Sequence, residues 1–324
     1  MEKTDSLILK SSIIKQLLII IFFVFSAALI PFVGSFCLIL LPMIIFSLAA
    51  INGEFKTATA FFISCLLIFI LFLLMQQSNP LFPIATMGLT GLLIRRLSIL
   101  NKSVEKVIAY PALMIIAAIC FYFIYSGFTQ SMHPWQFVQK YVASLVDANI
   151  KLYSQLPLAK EDIDFIKSNQ QSITSGFTMI FPSLIAIISI FIVWVNILIG
   201  KNVLNNAGVL HPNLTMLAGW KAPDFFIWTF IISGGLNFIP NEDINFIALN
   251  SFLIICFIYL LQGFAIISFI FQSKNVPIYF RFLFYFFIAV QQFLMIPIAA
   301  TGLFDIWIDF RKFFRKDQTT DILS

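Results

Sequence analysis

The chain has 324 residues, of which 60% are hydrophobic and only 11% are charged, and its formal net charge is +5. A soluble domain carries about 25% charged residues because its surface faces water. The composition therefore excludes a soluble globular protein and indicates a lipid environment. The excess positive charge lies in short loops and tails beside apolar runs, where it orients a membrane protein and does not indicate a nucleic-acid partner.

Apolar stretches long enough to cross a bilayer recur along the chain. A span needs roughly 20 mostly apolar residues and must satisfy its own backbone hydrogen bonds, which favours helices here. The predicted spans are 14–33, 35–51, 57–75, 80–94, 107–126, 174–200, 223–240, 246–272 and 280–301. They predict an all-α polytopic transmembrane helix bundle of about 8–9 spans, with a six-span N-terminal core.

Two longer connections divide this predicted bundle into parts. Residues 1–200 form the six-span core and include an outer amphipathic link at 127–173. Residues 201–222 form a cytoplasmic link, and residues 223–324 hold the C-terminal spans and an interfacial amphipathic tail.

The outer link is expected to form two amphipathic helices. Pro134 suits the first position of a helix, and apolar residues then follow at helical spacing. This spacing predicts that Val142 and Leu145 point inward and that Lys140 points outward. Two interpretations of the link stay open, namely a solvated surface segment and a lid over a cavity.

Charged residues in the loops orient the predicted spans. The loop 95–106 is strongly basic and is expected in the cytoplasm, whereas the link 240–243 carries Glu242 and Asp243 and is expected outside. Nine spans from a cytoplasmic start would leave the C-terminus outside, yet its tail is basic. Either one predicted span does not cross, or the tail departs from the rule.

The tail GLFDIWIDFRKFFRK, residues 302–316, has two chemically distinct faces on a helical wheel. Gly302 is expected to end the preceding span. The apolar face holds Leu303, Ile306, Trp307, Phe310, Phe313 and Phe314, and the polar face holds Asp305, Asp309, Lys312 and Lys316. This pattern predicts an amphipathic helix lying in the membrane interface.

Neutral polar residues at membrane depth are the candidate site residues: Asn196, Asn250, Gln262, Gln291 and Gln292. They indicate either interhelical hydrogen bonds or a cavity that binds a small neutral solute. The four cysteines and two histidines lack metal-ligand spacing, and phosphate-binding or nucleophile motifs are absent from the sequence. We therefore expect no cofactor, no metal and no enzymatic activity.

The last span and tail resemble the C-terminal signature of the YybS-like family, a bacterial membrane family with a domain of unknown function. The matching residues are Gly302, Leu303, Asp305, Asp309, Phe310 and Arg311. The segments KAPDFFIW (221–228), LNSFLIICFIYLLQGFAIISF (249–269) and LPMIIFSLAAINGEFKTA (41–58) are similar to other parts of that family. The resemblance implies an uncharacterised multi-pass protein of the bacterial cytoplasmic (inner) membrane.

A more distant likeness joins residues 14–200 to the substrate-binding subunits of energy-coupling-factor transporters, although Ala27 and Ala28 are adjacent here and lack those subunits' Ala-x-x-x-Ala spacing. It implies a protein that binds or transports a small solute, of unknown identity, in the lipid bilayer beside a membrane-protein partner. The alternative is a structural or accessory membrane subunit without transport activity of its own.

Overall fold

The structure is a computed structural model that describes residues 2–76, 80–155, 160–206 and 217–315. Within these residues every regular element is helical, which confirms the predicted all-α class. The helices are α1 (Glu2–Leu29), α2 (Pro31–Asn52), α3 (Glu54–Met75), α4 (Leu81–Ile99), α5 (Val104–Thr129), α6 (Pro134–Tyr153), α7 (Lys160–Ser168), α8 (Gln170–Asn206), α9 (Phe226–Leu236), α10 (Glu242–Ser273), α11 (Ile278–Val290), α12 (Met295–Ile308) and α13 (Lys312–Arg315).

Among the described residues, six helices are long and apolar enough to cross a membrane, or seven if α11 and α12 count as one bent span. This number is lower than the predicted 8–9. The helix α9 has only 11 residues, and the predicted span 280–301 is divided between α11 and α12. Short helices are found where the sequence alone predicts full-length spans, because apolar composition does not fix where a helix breaks.

Packing groups the chain into two compact units whose limits differ from the predicted domains. Unit 1 consists of Met1–Tyr125 and Ile188–Thr215, and unit 2 consists of Ser126–Ile187 and Met216–Ser324. The outer link and the start of α8 therefore belong with the C-terminal helices and not with the N-terminal spans.

Unit 1 is built on the close packing of α1 to α4. The single residue Gly53 joins α2 to α3 with a φ of 100°, a backbone conformation that glycine adopts without steric cost. Gly88 lies against the ring of Phe61, and Gly91 lies against the carbonyl of Pro42. Small residues at these crossings let neighbouring helices approach closely, as is common inside membranes.

Unit 2 is organised around α10, which packs against α9 and α12. The amide N–H of Ala222 donates to Gln262 Oε1 at 3.1 Å, while Asn241 caps the start of α10 through Ile244 N. These two points on α10 are about 20 residues apart, which is about 30 Å of helix rise. The segment 222–241 therefore covers the thickness of a hydrocarbon core even though α9 itself is short.

The last predicted span, 280–301, is not one continuous helix. α11 and α12 meet at a bend of 106°, at Gln291, whose φ of −102° and ψ of 82° are not helical. Lys274 Nζ, just after α10, lies 5.9 Å from the ring centroid of Phe314. The chain thus leaves the end of α10, turns back through α11 and α12, and returns to the same end. α10 is predicted to end on the cytoplasmic side, and basic residues such as those of the tail favour that side. The path of the chain agrees with both expectations.

The predicted interfacial helix of the tail is wrong in two respects. α12 continues through Gly302 to Ile308, and the helix then ends because Asp309 adopts a left-handed conformation with φ 44°. The side chain of Asp305, which was assigned to the polar face, is fully buried. Lys316 lies outside the described residues.

The outer link contains the two expected helices, α6 and α7, although residues 156–159 lie outside the described part. α6 buries Phe137, Val138, Val142, Val146 and Ile150. Val142 is 3% exposed, as predicted, but Leu145 is 44% exposed, so the inward orientation predicted for Leu145 is wrong. The buried face is centred on the valines at helical spacing, and Leu145 lies beside it.

Candidate functional site

Asn196 and Asn250, two of the predicted polar residues, are each inserted into the backbone of a neighbouring helix beside a proline. Asn196 Oδ1 accepts from Met43 N at 2.7 Å and Asn196 Nδ2 donates to Ile39 O at 2.8 Å. An α-helix would pair these two backbone groups with each other. Pro42 precedes Met43, and a proline ring pushes away the carbonyl one turn earlier, which opens the helix for the amide.

Asn250 repeats this arrangement in unit 2. Its Oδ1 accepts from Ser183 N at 2.8 Å, and its Nδ2 donates to Met179 O at 2.9 Å, beside Pro182 of α8. A side-chain amide has one donor and one acceptor end, so it satisfies both opened backbone groups. Both asparagines therefore serve helix–helix contacts.

Gln262 joins three segments of unit 2. Its Oε1 accepts from Ala222 N, and its Nε2 donates to Asp305 Oδ2 at 3.1 Å. Gln291 and Gln292 are not brought to this place, because they are exposed at the bend between α11 and α12. The five predicted polar residues thus do not form one cavity.

The six residues of the C-terminal signature come together around Asp305. Arg311 Nη1 lies 2.9 Å from Asp305 Oδ2, and the N–H of Phe310 donates to Asp305 Oδ1 at 3.0 Å. Arg311 Nη2 donates to Trp220 O at 2.8 Å. Gly302 packs against the carbonyl of Tyr259, where a side chain would overlap it, and Leu303 packs against the cluster of Ala222, Ile255 and Tyr259.

Lys221 completes the charge balance of this cluster. Its Nζ lies 3.9 Å from Asp305 and 3.5 Å from Asp309, so two cations face two carboxylates. This cluster therefore joins three segments that are far apart in sequence: 220–222, 259–263 and 302–311. Sequence reasoning did not assign Trp220 or Lys221 to a site, although Lys221 begins the KAPDFFIW segment. The available signal was Asp305, an acid in an apolar helix, which needs a partner when buried.

A large open cavity is present elsewhere in unit 2, between α6, α7 and the first turns of α8 and α10. Its volume is about 1340 Å³. It is lined by Trp135, Gln139, Ala143, Lys167, Ser168, Gln170, Gln171, Thr174, Ser175, Thr178, Met179, Pro182, Glu242, Asp243, Asn245 and Phe246. Half of these 16 side chains are polar and uncharged, so the cavity is the candidate functional site.

Two structural features shape the cavity. The first turns of α8 present Gln170, Thr174 and Thr178 one turn apart, and the two threonine hydroxyls donate to the carbonyls of Gln170 and Thr174 at 2.8 Å. Their oxygens keep lone pairs that can accept from a ligand. On the opposite wall the rings of Trp135 and Phe246 meet edge to face, with centroids 5.6 Å apart. These rings fix α6 against α10.

None of the cavity residues was predicted as a site residue. The signal in the sequence was the polar run QQSITSGFT at 170–178, which precedes an otherwise apolar span. Such a run can equally be a loop. Only the packing of the outer link shows that it faces a cavity.

Long apolar helices with buried amides, and a polar cavity among their ends, define a multi-pass α-helical membrane protein. Residues 17–306 match the model of a family described as Predicted membrane protein (DUF2232), and the chain belongs to that family. The match ends before Asp309, Phe310 and Arg311. No curated protein and no solved structure is significantly similar to the chain.

Proposed function

We propose that this protein binds a small polar solute in the cavity of unit 2 and that it is a YybS-like protein of the bacterial cytoplasmic membrane. The observation that carries this proposal is the cavity of about 1340 Å³, in which eight of the 16 lining side chains are amides or hydroxyls. Ligand pockets commonly measure about 300–1,000 Å³, so a small solute and some water fit together.

The lining favours a solute rich in hydroxyl or amide groups. Gln139, Gln170, Gln171 and Asn245 each offer both donors and acceptors, and the hydroxyl oxygens of α8 add acceptors. Lys167 lies at the end of α7, and Glu242 and Asp243 lie in the first turn of α10, where the helix dipole already stabilises acids. Binding by this surface requires no covalent step, so the proposed role is not enzymatic.

A second candidate is a structural or accessory role beside another membrane protein. It is favoured by Asn196, Asn250 and Gln262, whose side-chain amides are used in helix–helix contacts and do not line the cavity. The energy-coupling-factor likeness fits either candidate, because such subunits bind a solute and also dock on a membrane partner.

Native mass spectrometry of the purified protein, combined with thermal unfolding in the presence of neutral polyols and amides, tests the first candidate. A bound solute should raise the unfolding temperature of the wild type. Thr174→Val and Gln139→Leu should weaken that response, because each removes a polar group from the lining. Thr301→Val, in which an exposed hydroxyl bonded to Pro297 O is lost, is the matched control and should respond like the wild type.

A protein that carries no small molecule and responds to none of these compounds contradicts solute binding. A membrane protein that co-purifies in fixed ratio would then support the accessory role.

A further inference from the structure

The antiparallel seam between α3 and α4 in unit 1 ends in a group of charged and hydroxyl side chains. Phe61 of α3 packs on Gly88 of α4, and two turns further along both helices Glu54 Oε2 lies 3.6 Å from Arg96 Nη1. Thr57 is one turn before Phe61 and one turn after Glu54, on the same face of α3. It therefore lies in the seam between these two contacts.

Several buried polar atoms of this group lack protein partners within the described part of the chain. Thr57 is fully buried, and its Oγ1 has no hydrogen-bond partner there. Arg95 Nε, Arg95 Nη1 and Glu54 Oε1 are also buried atoms without a hydrogen-bond partner in that part of the chain. Thr57 lies one turn from Glu54, and Glu54 acts electrostatically on Arg95, which connects these atoms. A buried donor without an acceptor costs about 1–3 kcal/mol, and more when it is charged, so this group indicates a ligand that supplies the missing partners.

The chemistry of these atoms specifies the ligand. Two N–H groups of Arg95 require acceptor oxygens, whereas Glu54 Oε1 requires a donor, and Glu54 also acts electrostatically on Arg95. Arg95, Arg96 and Glu54 together carry one net positive charge. A phosphate group with an adjacent O–H or ammonium meets all of these requirements, because its oxygens accept from guanidinium and hydroxyl groups.

We propose that the end of the α3–α4 seam binds such a phosphate group, with Arg95 and Thr57 contacting its oxygens and Glu54 accepting from its proton-bearing neighbour. Glu54 is the first residue of α3, and Arg95 is near the end of α4, so the site lies at helix ends, at the depth of lipid headgroups. The phosphate belongs either to a membrane lipid or to a soluble phosphate. The site lies in unit 1 and does not depend on the solute cavity of unit 2.

The test compares two sources of phosphate with purified, delipidated full-length protein. In the first arm, unfolding temperature is measured in an uncharged detergent with inorganic phosphate or with chloride at equal ionic strength. In the second arm, native mass spectrometry measures lipid retained from nanodiscs of phosphatidylethanolamine or of an uncharged galactolipid. A response in the first arm identifies a soluble phosphate, and a response only in the second identifies a lipid headgroup.

Three variants decide whether the response arises at this site. Arg95→Gln should weaken binding about tenfold, because it removes a charge-assisted hydrogen bond. Thr57→Val keeps the side-chain shape and should also weaken binding while the protein stays folded. Thr59→Val removes an exposed hydroxyl, bonded to Phe55 O on the same helix, and should bind like the wild type.

Two results overturn the proposal. In one, the wild type responds neither to phosphate nor to phosphatidylethanolamine, which would mean that the site holds only water. In the other, Thr57→Val and Arg95→Gln bind as tightly as Thr59→Val, which would place the phosphate elsewhere.

Discussion

Arg311 Nη1 lies 2.9 Å from Asp305 Oδ2, and the side chains of Arg311 and Asp305 are only 2% and 0% exposed. This buried ion pair joins the end of α12 to the residues that follow it. Through Gln262 and the carbonyl of Trp220 it also holds α10 and the approach to α9. Residues 305–311 are thus bound to the helices of unit 2 and do not lie free on the membrane surface.

Removal of one partner of this pair should destabilise the protein strongly. Asp305→Asn leaves the Arg311 charge buried, and Arg311→Gln does the same to the carboxylate, so each should lower the free energy of unfolding by roughly 3–5 kcal/mol. The measurement is unfolding by denaturant in detergent. The double variant Asp305→Asn/Arg311→Gln should lose less than the sum of the single variants, and strict additivity would contradict direct pairing.

The neighbouring Asp309 provides the control for that experiment. Its side chain is 46% exposed and it faces Lys221, which is 45% exposed, at 3.5 Å. Exposed pairs contribute about 0–1 kcal/mol because water screens them. Asp309→Asn should therefore change stability much less than Asp305→Asn, and an equal loss would show that burial is not the cause.

The side-chain amide of Asn196 should contribute to stability only while Pro42 keeps the α2 backbone hydrogen bond between Met43 and Ile39 from forming. Asn196→Leu leaves Met43 N and Ile39 O without partners and should cost about 1–3 kcal/mol. In a Pro42→Ala background these two backbone groups can pair with each other, so the same substitution should cost clearly less. A double-mutant cycle on unfolding free energy measures this coupling, and the expectation fails if Asn196→Leu costs the same in both backgrounds.

A methyl group at the crossing of α10 and α12 should not be tolerated. A Cβ at Gly302 would overlap the carbonyl of Tyr259, whereas a Cβ at Gly235 meets nothing within 4 Å. Gly302→Ala should force the helices apart and lower the unfolding temperature. Gly235→Ala should be neutral or stabilising, because alanine favours a helix by about 1 kcal/mol over glycine. Equal stability of the two variants would argue against this close crossing.

Polar substitution in the outer helix α6 should discriminate between its two faces. Val142 is 3% exposed, and Val142→Asn would bury an amide in an apolar contact, so we expect a loss of about 2–4 kcal/mol. Leu145 is 44% exposed, and Leu145→Asn should cost far less. Thermal unfolding of both variants is the measurement, and similar losses would place Leu145 in the packed face.

Cysteine labelling in intact cells checks the path of the chain. With Cys37, Cys65, Cys120 and Cys256 replaced, a cysteine at Ser103 or at Lys312 should resist an impermeant thiol reagent. A cysteine at Asp243 should react, since the start of α10 is predicted outside. Reaction at Lys312 together with protection at Ser103 would mean that α11 and α12 cross the membrane after all.

The polar residues show why sequence reasoning succeeded only in part at the candidate sites. Asn196, Asn250 and Gln262 are recognisable as polar groups at membrane depth, and helix pairing is one of the two roles expected of them. The positions of Asn196 beside Pro42 and of Asn250 beside Pro182 depend on contacts between distant segments. The cavity residues of α8 were not recognisable, because a polar run at the start of a span looks the same whether it faces water or a cavity.

The sequence by itself determined that the protein is an all-α bundle in lipid, because low charge and long apolar runs leave no other way to satisfy the backbone. It also located most of the spans and the motifs of the C-terminal region. Only the tertiary structure decided that α11 and α12 turn back, that Asp305 is buried against Arg311, and that Glu54 of α3 faces Arg96 of α4. These outcomes depend on which helices touch, and the burial of an acid or an amide is decided by a partner many residues away.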